Sequence, residues 1–120
     1  MDRQQTGRAA EDAAVAFLES HGVSVLLRNF RRRAGELDVV AREHNTLIIV
    51  EVRTRSSNVF GGAAASVDFR KQRRLLRAAE QLLQQRKDLA DLRVRFDVIV
   101  IHEPTSANPR AEWIKHAFTA

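Results

Sequence analysis

The sequence contains no cysteine. That excludes disulfides and thiolate metal sites, and it suits a reducing compartment, here expected to be the cytoplasm. No stretch reaches the length of an apolar membrane span, and Met1-Asp2-Arg3-Gln4-Gln5 opens the chain without the apolar run of a signal peptide. Neither membrane insertion nor export is expected. The four histidines show no metal-ligand spacing. Gly61-Gly62 is not followed by the Gly-Lys-Ser/Thr of a phosphate-binding loop. There is no internal repeat and no low-complexity linker. What remains reads as one domain over residues 1–120, with the 44% hydrophobic and 29% charged residues normal for a globular protein. Acidic charge is the scarcer sign. Twenty basic residues, mostly arginine, face fifteen acidic ones for a net charge of +5, a balance that favours a polyanionic partner such as nucleic acid.

Two stretches stand out: Gly35-Glu36-Leu37-Asp38 and Ile49-Val50-Glu51-Val52-Arg53, joined through Glu43-His44-Asn45-Thr46. A two-residue turn on His44-Asn45 sets Leu37 opposite Val52, Val39 opposite Val50 and Ala41 opposite Ile48, which makes one side wholly apolar. On the other side Val40 meets Ile49, Asp38 meets Glu51, and Glu36 meets Arg53. A three-residue turn with a bulge would shift every pair by one. Opposed carboxylates destabilise a strand pair by up to about 1 kcal/mol, so Asp38 and Glu51 need something to offset their repulsion. A hard divalent cation would serve, since Mg²⁺ is commonly held by one or two carboxylates plus waters. An exposed, charged end of a sheet, with Glu36–Arg53 as an ordinary ion pair, would serve as well. The residues alone admit both.

Periodicity supplies the rest of the fold. Ala10, Ala13, Ala14, Phe17 and Leu18 recur at helical spacing within Thr6–Ser20, with Gly22 as the stop. Glu11 falls on the shoulder of that stripe, near a helix N-terminus that favours negative charge. Val23–Phe30 reads as a strand. Arg31-Arg32-Arg33 then leads into Gly35, either as a solvated loop or as phosphate contacts beside the charged end of the hairpin. Residues 56–66, with Phe60-Gly61-Gly62 and three alanines, read as a mobile loop, whether lid or plain connector. Asp68 is a good N-cap for a helix to about Arg86. Its buried stripe is Leu75, Leu76, Ala79, Leu82 and Leu83; Arg70, Arg73 and Arg77 face solvent, and Lys71 and Gln72 lie on the flank, where a lysine can snorkel along the helix edge. Lys87–Leu92 is a polar connection. Val94–Ile101 is a buried central strand in which Asp97 is a satisfied polar residue. Pro104 and Pro109 bracket a turn, and Trp113–Phe118 is an edge strand. The sum is an α/β fold, a mixed sheet of about five strands flanked by helices.

Gly-Glu-x-Asp, a spacer and then Glu-x-Lys form the signature of the PD-(D/E)XK nucleases. The chain resembles the YraN family of predicted endonucleases, relatives of archaeal Holliday junction resolvases. The resemblance runs from Gly7-Arg8-x-x-Glu11 through the hairpin and Arg95-Phe96-Asp97 to Ala117-Phe118. It departs at Arg53, where the pattern has lysine. The resemblance implies a restriction-endonuclease-like core and a site for Mg²⁺ or Mn²⁺ made by Asp38, Glu51 and the Val52 carbonyl. Glu11 completes that site from the N-terminal helix, and Lys71 lies close by, able to add positive charge. Asp38, Glu51, Arg53 and Glu11 are the implied catalytic set. Arg31, Arg32, Arg33, Arg55 and Lys71 are the candidate nucleic-acid contacts, the first three from their place beside the hairpin, with Glu36 (through its pairing with Arg53) and Gln72 as orienting groups.

The implied activity is metal-dependent hydrolysis of phosphodiester bonds in DNA, branched or structured DNA included. Such cleavage needs an activated water and neutralisation of the charge that develops on the phosphate, both of which a bound metal supplies. Arginine at position 53 stays protonated, so it cannot serve as a general base, although it can stabilise the phosphate bidentately. An active nuclease is therefore open, and so is a non-catalytic nucleic-acid-binding protein on the same fold. A protein-interaction domain, dimeric through a sheet edge, is a third reading; a homodimer would suit two-fold symmetric substrates.

Overall fold

The hairpin forms as the alternation requires. In the computed structural model, which describes residues 3–55 and 67–119, β2 (Gly35–Glu43) pairs antiparallel with β3 (Thr46–Arg55). Glu43 lies opposite Thr46, Ala41 opposite Ile48 and Val39 opposite Val50, the register of a two-residue turn. His44 makes that turn with a φ of 54°, the left-handed geometry that tight hairpins demand. The glycine-rich stretch 56–66 lies outside the described residues.

Three further strands complete a mixed sheet. β1 (Ser24–Arg32) adds antiparallel to β2, β4 (Arg93–His102) parallel to β3, and β5 (Arg110–Phe118) antiparallel to β4, in the order β1-β2-β3-β4-β5. A parallel pair needs a crossover. Helix α2 (Phe69–Gln85) lies in the one between β3 and β4, and α1 (Arg3–Ser20) precedes the sheet. The helices cover opposite faces. Ala10, Ala14 and Leu18 of α1 pack with Val39, Ala41, Ile48, Val50, Ile99 and Ile101. Leu75, Ala78, Ala79 and Leu82 of α2 pack with Val40, Leu47, Ile49, Phe96, Val98 and Val100. Covered on both sides, β3 and β4 read as near-continuous apolar runs.

Several boundaries move. α1 begins at Arg3 rather than Thr6, and β5 at Arg110 rather than Trp113. β1 continues through Arg31 and Arg32, because Glu36 and Gly35 pair with them across the ladder; only Arg33 and Ala34 form the turn. A short 3₁₀ turn, Lys87–Leu89, buries Leu89 inside the expected polar connection. On α2, Ala78 is buried while Leu76 and Leu83 are only partly so. No described helix is long and apolar enough to cross a membrane.

α2 comes very close to the start of β2. A Cβ on Gly35 would sit 2.9 Å from the Arg74 carbonyl oxygen and 3.2 Å from the Arg74 Cβ. Backbone cannot yield as a side chain can, so Gly35→Ala must push the helix off the strand. The expected loss is about 1–3 kcal/mol of stability in urea unfolding, the usual range for overpacking. An unchanged midpoint would show that the helix has room to shift.

Candidate active site

The regularity of the sheet breaks at Asp38. Leu37 packs in the cluster on the α2 side and Val39 in the cluster on the α1 side, where unbroken alternation would place them together. This corrects the expectation that Leu37, Val39 and Ala41 share one apolar face. The β2–β3 ladder stops at Val39–Val50, and beyond it the Val52 N–H donates to Asp38 Oδ2 at 2.9 Å. A side chain has taken over what a strand carbonyl does elsewhere. On the β1 side Asn29, between the pairs Arg28–Val39 and Phe30–Leu37, has a φ of 55°. The irregularity thus spans both strands.

Three elements bring charge to this point. Glu51 of β3 is only 4% exposed. Its Oε2 lies 2.9 Å from Lys71 Nζ of α2 and 3.6 Å from Arg53 Nε, while its Oε1 has no hydrogen-bond partner. Asp38 of β2 faces it. Burial, then the Glu51 charge, then sharing of a proton with the Glu51 carboxyl push the Asp38 carboxyl up to about 8. The Val52 N–H opposes that rise, and the charge of Glu11 adds slightly to it. The two carboxyl groups tolerate their proximity by holding a proton between them into the neutral range.

A cleft of about 280 Å³ opens beside Asp38 and Lys71, lined by Gly35, Glu36, Asp38, Lys71, Arg74 and Leu75. A neighbouring cleft of about 320 Å³ is lined by Gly7, Arg8, Glu11, Asn29, Arg31 and Glu36. Glu36 lines both, one on the α1 side and the other on the α2 side.

The structure sorts the sequence candidates. Glu11 lines the second cleft, where Asn29 Nδ2 donates to it at 3.0 Å and Arg28 lies 3.6 Å away. Glu36 does not meet Arg53. It pairs with Arg31 at 3.2 Å, because β1 and β2 stay paired to Arg32–Gly35 whereas β2 and β3 part after Val39–Val50. Arg53 turns instead to Glu51, two residues back on the same face. The run Arg31-Arg32-Arg33 does not act as a block. Arg31 lines the cleft; Arg32 lies 4.1 Å from the Phe30 ring and donates to Gln85 Oε1 at 2.6 Å; Arg33 is exposed in the turn. Arg55 closes β3, its carbonyl accepting the Glu103 N–H at 2.7 Å. Lys71 does not simply snorkel, since its ammonium is on Glu51. Gln72 points elsewhere, donating to the Val67 carbonyl at 2.7 Å and bracing the entry to α2.

Sequence reasoning missed two residues. Arg74 lines the main cleft, and its spacing from Lys71 on one helix side could have found it. Asn29 had no such signal, since a reversed φ inside a strand leaves no mark on the alternation. Asp97 is satisfied as expected: its oxygens accept from Arg95 Nε and the His116 N–H, and from the second Arg95 nitrogen and Trp113 Nε1, all at 2.8–2.9 Å.

Among the described residues no three acidic or histidine side chains converge into a metal-ligand group. Two carboxylates suffice for Mg²⁺ when waters complete its shell. Asp38 and Glu51 fit that chemistry: hard oxygen donors whose repulsion a cation would relieve, one carrying a buried oxygen without a partner. The Lys71 ammonium already fills part of that role.

A family model described as Uncharacterised protein family UPF0102 matches residues 10–101, a span that takes in Glu11, Asp38, Glu51, Arg53 and Lys71. Among similar proteins, a UPF0102 protein of Desulforapulum autotrophicum is 44% identical over 116 residues, covering 97% of this chain and 94% of the relative. One of Pseudomonas savastanoi pv. phaseolicola is 47% identical over 117 residues, covering 97% and 94%. One of Xanthomonas euvesicatoria is 46% identical over 118 residues, covering 98% and 94%.

Proposed function

The chain belongs to the uncharacterised protein family UPF0102, and from that premise and the geometry of its cleft we propose that it is a divalent-metal-dependent endonuclease acting on DNA. In this reading the fold is of the PD-(D/E)XK kind and the family is that of YraN. One observation carries it: two carboxyl groups from separate strands face each other, Asp38 on the cleft with its pKa raised and Glu51 buried beside it with one oxygen lacking a partner. A structural ion pair gains nothing from a second, repelling carboxylate, whereas a divalent cation can use both.

Asp38, Glu51 and the Val52 carbonyl would hold Mg²⁺ or Mn²⁺, with Glu11 in the neighbouring cleft on the α1 side. The metal would acidify a water and offset the charge that develops on the phosphate. The chain's own cations do the rest. Lys71, fixed by Glu51, orients the attacking water and neutralises a phosphate oxygen; Arg53 remains charged and clamps the phosphate. Arg31 and Arg74, on the two clefts, take the flanking backbone. Placing the lysine on α2 rather than on β3 leaves the site a flexible cation despite Arg53.

A second reading, a nucleic-acid-binding protein without catalysis, is favoured by the 2.9 Å Lys71–Glu51 contact, which offsets the carboxylate with no metal. Labelled linear duplex, flap, splayed arm and four-way junction, each with Mg²⁺, Mn²⁺ or chelator, separate the two. The nuclease reading expects metal-dependent cutting that Glu51→Ala abolishes. Cutting gained only on Arg53→Lys would give the lead to the binding reading. If neither protein cuts, and Glu51→Ala leaves metal binding and DNA affinity unchanged, the nuclease reading falls.

A further inference from the structure

At the start of α2 one large apolar side chain is turned to solvent. Phe69 is 67% exposed, the sole exposed large hydrophobic residue among those described. Arg73 lies over its ring, with the guanidinium carbon 5.6 Å from the centroid. Phe69, Arg73 and Arg77 follow one another at four-residue steps, with Arg70 and Arg74 alongside. Phe69, Arg70, Arg73, Arg74 and Arg77 are all exposed; Phe69, Arg70, Arg73 and Arg77 lie on the part of the helix away from Leu75, Ala78, Ala79 and Leu82, and Arg74 on its flank toward the cleft. Among the described residues none of these four arginines has a carboxylate within ion-pair distance, and the first turn of α2 holds no acidic residue. Cations gathered near a helix N-terminus repel one another and the positive end of the helix. Beyond the Arg73–Phe69 contact and the Asp68 cap, folding gains little from such a cluster or from an aromatic ring in water. A polyanion with apolar faces would gain from both.

We propose that this face of α2 docks DNA at a break in its base stacking, with Phe69 stacking on an unpaired base while Arg70, Arg73 and Arg77 hold the flanking phosphates. The inference rests on the DNA reading above and narrows its substrate to DNA with unpaired bases, such as gaps and flaps. Charge alone would accept any duplex, since phosphate contacts carry no sequence or structure information of their own. The ring adds the selection. Base–aromatic stacking tolerates any sequence because every base has a π-face, but inside a continuous duplex both faces are already covered. Phe69 and Lys71 share the first turn of α2, and the Lys71 ammonium reaches Glu51, so one turn of helix carries both the exposed ring and a cation of the cleft.

The test is binding by fluorescence anisotropy, in chelator so that cleavage plays no part. The probes are a labelled continuous duplex and the same duplex interrupted by a short thymine gap. The gapped DNA should bind about tenfold more tightly than the duplex, the scale of one stacked base. Phe69→Ala should remove most of that preference, and Phe69→Trp should keep it. Arg73→Ala should weaken both complexes and reduce the slope of log affinity against log salt by about 0.9 for a lost phosphate contact. Equal binding of the two DNAs by the wild type overturns the inference and leaves the nuclease reading standing, as does a preference that Phe69→Ala retains. Phe69→Ala that dissociates a dimer without altering DNA binding also overturns it and makes the ring a protein contact. No binding of either DNA by the wild type removes the DNA reading itself.

Discussion

Replacing Asp97 with alanine lowers the stability of the fold by about 3–5 kcal/mol, the usual cost of removing one partner of a buried pair. A domain of this size has about 5–15 kcal/mol in all, so the variant is left barely folded. The Asp97 side chain is fully buried, and Arg95 beside it is 20% exposed. Arg95 grips the carboxylate with two bonds of 2.9 Å, the Trp113 indole donates at 2.8 Å, and the His116 N–H at 2.9 Å. Without it an arginine and two N–H groups lose their acceptor in or near the core. The loss also undoes the pairing of β5. The β4–β5 register shifts between Phe96 and Val98, and His116 has a φ of 56°, so the carboxylate bridges the gap that the irregularity opens. Asp97→Asn keeps one acceptor but turns a donor toward other donors, and should cost less than alanine. Trp113 is the chain's single tryptophan, so its emission reports on this site directly. Urea unfolding followed by that emission should show an earlier midpoint and a red-shifted native spectrum. A loss below about 1 kcal/mol with unchanged emission would mean that water replaces the carboxylate freely.

Asp38→Asn works in the opposite direction and stabilises the metal-free protein at neutral pH. The Asp38 carboxyl is raised from 3.8 to about 8, chiefly by burial and by Glu51. Between those values the folded state keeps a proton that the unfolded state releases, so stability falls as pH rises through that window. Below about pH 4 both states are protonated and no penalty exists. Above about pH 8 the whole penalty is present. A tenfold change in proton affinity corresponds to about 1.4 kcal/mol, and relaxation of the site relieves part of the total, which puts the penalty near 2–4 kcal/mol at pH 7. Asparagine reproduces the protonated group at every pH: its oxygen can accept from the Val52 N–H and its amide can donate toward the orphaned Glu51 oxygen. The difference between wild type and variant in chelator isolates this one group. It should grow from near zero at pH 4 to its full value at pH 8. A variant less stable than wild type at pH 8 would show that the carboxylate is not strained. Millimolar Mg²⁺ should then raise the melting temperature of the wild type, more at pH 8 than at pH 6, and leave the variant unmoved.

Features that obey a local repeat are legible in the residues, and those that depend on where a ladder ends are not. Strict two-residue alternation around His44-Asn45 is enough to place β2, β3 and their register, because a one-residue slip would expose every core side chain. Helical spacing and an Asp68 cap are enough for α2, and the cap is made, with Asp68 accepting from the Lys71 N–H at 2.9 Å. Asp38 and Glu51 do face each other as the alternation suggests, but through an irregular stretch past the ladder rather than as a ladder pair. Alternation fails where the ladder stops. Matching Glu36 with Arg53 extrapolates the pairs past Val39–Val50, but there the strands part and Glu36 takes Arg31.

Local periodicity therefore settles the elements, the hairpin register near its turn, and the two-sided burial of β3 and β4. Packing in three dimensions settles the rest: Leu37 crosses to the other face, Lys71 reaches Glu51, Asp97 gathers four donors, and Phe69 is left in solvent. Each of these depends on how closely elements distant in the chain approach one another. The approach of α2 to Gly35 sets where Lys71 and Phe69 stand, and the end of the β2–β3 ladder sets where Asp38 turns. Side-chain spacing along one strand or helix carries no record of either distance.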